Sequence, residues 1–157
     1  MTLIALPALR SLSMCFYAPV SVEDPHLVKV PVSSEIHIME ASRRARWLAE
    51  EMGFNRIAAY HIATAASELA ANLFFHGRGG TLSAFMIQDP AVGLVLLAED
   101  QGPGIADLAL ALTDGYSTTG SLGCGLPGVR RLMDQFDICS ELGAGCQVQA
   151  VKWLIRQ

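Results

Sequence analysis

The sequence predicts an α+β domain, a two-layer α/β sandwich with helices on one face of a mixed β-sheet. Three observations predict it. Two long helical stretches, 36–52 and 56–76, follow one short strand-like run at 27–32. Two further runs, 81–87 and 94–98, read as a hairpin, and a second hairpin, 137–141 with 146–154, follows a short helix at 126–136. Helices set between hairpins, rather than alternating with single strands, build an α+β layer and not a doubly wound parallel sheet. At 157 residues the chain fits one domain with one core. The expected organisation is an N-terminal extension over 1–26 and a single domain over 27–157.

The first strand carries Pro31, which removes a ladder donor and so fits a sheet edge. Ser33 or Ser34 can cap the helix that follows. In it Ile36, Met39, Ala45, Trp47, Leu48 and Met52 recur at mostly helical offsets, and Gly53 supplies the C-cap. Asn55 is the N-cap of the next stretch. Residues 56–76 contain no Gly or Pro and are apolar around much of the circumference, so this longest helix is expected to lie buried against the sheet. Gly77, Gly79 and Gly80 end it. The run 94–98 is continuously apolar, as in a central strand, and Glu99 and Asp100 stand where it leaves the core. Pro127 is tolerated only in the first turn of its helix, and Gly143, Ala144 and Gly145 turn the last hairpin.

Hydrophobic residues make up 52% of the chain and charged ones 17%, which suits a well-covered sheet and leaves scope for an apolar partner surface. The formal net charge is −4 with no basic run, so no nucleic-acid partner is expected. Cys15, Cys124, Cys139 and Cys146 show neither CxxC nor Cys/His spacing. They are read as reduced thiols of a cytoplasmic protein, with no disulfide framework and no zinc cage. Residues 1–20 are apolar but lack a basic leader and are broken by Pro7 and Arg10. Neither export nor a membrane span is expected, and the segment reads as a loosely docked extension or as sequence from a start upstream of the domain.

Two glycine-rich turns carry the chemistry. One runs from Asp100 through Gly102, Pro103 and Gly104 to Ile105; the other holds Gly120, Gly123, Cys124, Gly125 and Leu126, with a polar segment over 114–119 between them. Upstream, Glu68 and Asn72 are spaced i, i+4 and project from one helix face, with Thr64 one turn earlier. A carboxylate can polarise a hydroxyl, and an amide oxygen suits Mg2+, although the same pair is also a routine feature of a solvated helix face. The Asp100 carboxylate can accept from an exocyclic amine such as adenine N6, or simply cap its turn. Residues 123–128 match GxGxxG, but they follow a polar loop late in the chain, so a dinucleotide reading fails; a P-loop lysine is absent too. What remains is either glycine amides facing phosphate at a helix start, or a mobile surface loop. His76 could line the pocket, while His26, His37 and His61 read as surface or half-buried residues, and Arg130 and Arg131 as a solvated face.

Residues 67–72, 99–105 and 114–129 resemble the N, G1 and G2 boxes of the GHKL ATPases. Together with residues 149–154 they look more closely like the RsbT-type serine protein kinases, the switch kinases of bacterial stressosomes; the similarity spans residues 27 to 155. The resemblance implies a Bergerat fold with ATP and Mg2+ as ligands. By matching position, Glu68 is the catalytic base, Asn72 holds Mg2+ and Asp100 recognises adenine. Gly102, Gly104 and Ile105 shape that end, Gly120, Gly123, Gly125 and Leu126 wrap the phosphates, and Ser117 and Thr118 belong to the lid. The implied substrates are STAS-domain proteins, and the implied second partner is a downstream phosphatase or other output protein. One position departs from the pattern: Cys146 stands where the superfamily usually places a Thr that helps bind adenine, and a thiol is a poor donor. The alternative function is a non-catalytic, ATP-binding, anti-sigma-like sequestering module. The catalytic half of a histidine kinase ranks last, because it needs a phospho-acceptor helix that the 26 upstream residues cannot supply.

Overall fold

A computed structural model describes residues 17, 21, 23–113 and 125–155. Among these the chain runs β1 (Val28–Val32), α1 (Ile36–Met52), α2 (Arg56–Phe75), β2 (Gly80–Ile87), β3 (Gly93–Asp100), α3 (Leu108–Ala111), α4 (Gly125–Leu132), β4 (Gln135–Glu141) and β5 (Gly145–Trp153). The strands form one sheet in the order β1-β2-β3-β5-β4. The α+β sandwich is as the sequence predicts, with one correction: every pairing in the sheet is antiparallel, so the sheet is not mixed. The connections explain this. Two helices separate β1 from β2, and two passes return the chain to the end at which β1 finished. Strands β3 and β4 each run antiparallel to β5 and so share a direction, but β5 lies between them and they never pair.

Local signals set the helix ends. Gly53 closes α1 at φ 93°, and the Asn55 side chain accepts from the Ala58 N–H at 2.8 Å to open α2. The expected serine cap of α1 is replaced. Glu35 holds the cap position without a side-chain bond, and His37 Nδ1 instead accepts from the N–H groups of Ser33 (3.0 Å) and Ser34 (3.3 Å). The short α3 was not foreseen; Asp107 caps it by accepting from the Leu110 N–H at 3.0 Å. Helix α4 ends at Leu132 rather than at 136, because the Asp134 N–H bonds the Val151 carbonyl at 2.8 Å and Gln135 already pairs with Val151.

Helices α1, α2 and α4 pack on one face of the sheet. Alanines at 41, 45 and 49 of α1 and at 59, 66 and 70 of α2 are fully buried and let the two helices approach closely, while Leu48, Ile62 and Leu69 fill the layer above Leu82, Leu94 and Leu96. The other face carries a separate cluster of Phe85, Ile87, Val95, Leu97 and Val151. Alternation along β3 therefore sends Leu94, Leu96, Ala98 and, continuing the period, Asp100 to the helical side. No helix among the described residues is long and apolar enough to cross a membrane.

Candidate functional site

The site is built along the second half of α2. Leu69, Ala70 and Leu73 anchor that half in the core, so Glu68 and Asn72, both half-buried, share the helix edge that faces the α4 end. The Glu68 carboxylate accepts a hydrogen bond from the Gly125 backbone N–H at the start of α4. Burial raises the Glu68 pKa above the usual carboxylate range, and the Gly125 bond opposes that shift without cancelling it. One turn on, the Asn72 carbonyl accepts from the N–H groups of His76 and Gly77, each at 3.0 Å, and so ends the helix.

The turn after α2 brings the first glycine segment to Asp100. Gly77 lies against the Asp100 side chain, where an added Cβ would stand 2.8 Å from the carboxylate. Gly102 presses on the Gly77 backbone in turn, with an added Cβ 2.6 Å from the Gly77 carbonyl oxygen. Gly80 sits against the Glu99 carbonyl, and Gly145, at φ 111°, against the Asp100 carbonyl. Only residues without a side chain permit these approaches. Asp100 Oδ1 accepts from the Gly102 N–H at 2.9 Å, and the nearby Cys146 N–H also favours the charged carboxylate. Burial raises the Asp100 pKa and these two donors partly offset it. The carboxylate is thus oriented by the Gly102 amide and retains acceptor capacity for a further donor.

The rest of this turn is clamped to the last hairpin. The Gly143 N–H bonds the Pro103 carbonyl at 2.9 Å, and the Ile105 N–H donates to Ser140 Oγ at 2.7 Å. Gly104 takes φ 75° with its Cα against the Glu141 carbonyl. Cys146 pairs across the sheet with both Asp100 and Ser140 and is 7% exposed. Burial first, then the Asp100 carboxylate, pushes its thiol up to about 12, so it stays protonated as a weak donor beneath Asp100.

The structure sets Glu68 beside Gly125 at the start of α4, and Asp100 and Gly102 against Gly77 in the turn that follows Asn72, while Gly104 and Ile105 are held on the last hairpin. Ser117, Thr118, Gly120 and Gly123 lie outside the described residues. Leu126 is buried and anchors the start of α4. Sequence reading missed Gly77, Gly80, Gly145 and Ser140 as parts of this site, having treated the glycines as breakers or turns. The only signal was their density on either side of the Asp100 segment. Arg130 is exposed on the outer side of α4. His76 is exposed at the α2 C-cap, where its backbone bonds Asn72. Among the described residues no group of three or more His, Cys, Asp or Glu is placed to hold a metal ion.

Three comparisons bear on this geometry. Residues 31–152 match the model of the histidine kinase-like ATPase domain. Over 126 residues the chain is 44% identical to the serine/threonine-protein kinase RsbT of Bacillus subtilis (strain 168), which covers 80% of this chain and 95% of that protein. In fold it is similar to a crystal structure of the RsbU and RsbW domains of a Mycobacterium tuberculosis protein, with a TM-score of 0.60 at 16% identity; the match covers 83% of this chain and 33% of that one. The chain belongs to the histidine kinase-like ATPases and, within them, to the RsbT-type serine/threonine protein kinases.

Proposed function

We propose that this chain is a cytoplasmic, ATP-dependent protein serine/threonine kinase that phosphorylates STAS-domain partners and, once released from them, activates a downstream phosphatase or other output protein. Its kinase domain spans 27–157, with 1–26 as an extension. The observation that carries the reading is the grouping along α2. Glu68 touches the start of α4, Asn72 follows one turn later, and the glycines after the helix close on Asp100.

The residues present fit a magnesium nucleotide. The half-buried Asp100 carboxylate keeps acceptor capacity for a ring amine, Asn72 offers a neutral hard oxygen, and the start of α4 presents amides that suit phosphate. Asp100 accepts from the exocyclic amine of adenine, with Gly102, Gly104 and Ile105 as the floor of that end. Asn72 would hold Mg2+ through its side-chain oxygen. Gly120, Gly123, Gly125 and Leu126, with Ser117 and Thr118, are the residues that the family resemblance assigns to the phosphates. When bound, the magnesium nucleotide supplies the transferable phosphoryl group and neutralises much of its charge. Glu68 then acts on the acceptor. Its raised pKa suits a base that orients a serine or threonine hydroxyl and takes its proton.

Incubation with γ-labelled ATP and STAS-domain proteins encoded beside the gene tests this reading. Label on a serine or threonine of such a partner is the expected result. A stable complex that carries no label overturns catalysis and leaves the sequestering module in its place.

A further inference from the structure

The sheet's second face points away from the ATP pocket, and its cover is not supplied by any described helix. Phe85, Val95 and Val151 align across β2, β3 and β5, and each is 0% exposed, yet α1, α2 and α4 all pack on the opposite side. Among the described residues, only Tyr17, Leu27 and Trp153 are added to this cluster. Tyr17 shows where the chain comes from. Its N–H donates to Gln149 Oε1 at 2.7 Å, and Gln149, 1% exposed, lies in the middle of that face. A buried amide of this kind is tolerated only when its hydrogen bonds are met, and its partner here is 132 residues away in sequence.

We propose that residues 1–16 of this same chain are the cover of that face. The segment ends at Tyr17, already seated on the cluster, and carries a single charge, Arg10, among Leu3, Ile4, Leu6, Leu9, Leu12 and Phe16. Burying those side chains against Phe85, Val95 and Val151 removes apolar area from water on both partners. The tether at Tyr17 also gives the segment a high effective concentration, which a second copy binding the same face must overcome.

The test uses the full chain. In a sample mixing isotope-labelled and unlabelled copies, nuclear Overhauser contacts are expected from the methyl groups of Val95, Leu97 and Val151 to side chains of residues 1–16 within one molecule. Absence of these contacts, or contacts only between copies, overturns the proposal. Deletion of residues 1–16 is expected to shift those methyl resonances and to raise binding of a hydrophobic dye several-fold while the far-UV spectrum is kept. A folded deletion variant that binds no more dye than the full chain also overturns it. Should the deletion lose the fold, the full-chain contacts decide alone.

Discussion

Glu68 sits under two opposing influences, and burial outweighs the Gly125 N–H. In its proposed role as base it must be unprotonated, so phosphotransfer should fall on acidification with a midpoint above the ordinary carboxylate range. Replacement with Gln or Ala should remove that limb together with about 10²–10⁴-fold of the rate. A pH profile of single-turnover transfer checks it. Asp100 carries the same sign. Its carboxyl is raised in the folded chain, so the stability gained by protonation is present at low pH and is lost as pH rises through the folded value. Asp100→Asn keeps an acceptor for Gly102 and removes the buried charge. Thermal melts should place it no lower than the parent at pH 8, with the difference shrinking toward pH 4; a variant that loses most stability at pH 8 contradicts that sign. Cys146, protonated up to about 12, offers only a weak donor under Asp100. Cys146→Thr should therefore tighten ATP binding by up to about fivefold, roughly 1 kcal/mol by calorimetry, and weaker binding would count against a donor role.

At the scale of elements, the helix caps were legible and the glycine contacts were not. Gly53 and Asn55 act on neighbours within five residues, so local chemistry predicts them. His37 was missed because a histidine rarely announces itself as a cap, and β4 starts early because its pairing with β5 competes with the last turn of α4. Gly77, Gly80 and Gly145 matter for what they touch across the fold, which no local pattern records. Two substitutions separate the two kinds of role. Gly102→Ala drives a methyl into the rigid Gly77 backbone at 2.6 Å and should cost about 1–3 kcal/mol in urea denaturation while also weakening ATP binding. Asn55→Ala removes a cap at the far end of α2 and should cost about 1 kcal/mol with ATP affinity unchanged.

For the whole molecule, alternation of helices with hairpins was enough to predict one layer of helices on one sheet, because amphipathic elements have few ways to bury an apolar face. Strand direction was not legible, since it depends on β5 entering between β3 and β4, an outcome set by the closing hairpin rather than by either strand alone. The proposed nucleotide site lies where these scales meet, with α2 and α4 supplied by the helical layer and Asp100 by the sheet. ATP titration of the parent, Glu68→Ala and Asp100→Asn by calorimetry, each confirmed folded, is its most direct test. Asp100→Asn should lose ATP binding while Glu68→Ala binds as the parent does. Undiminished ATP binding by Asp100→Asn would contradict the pocket itself.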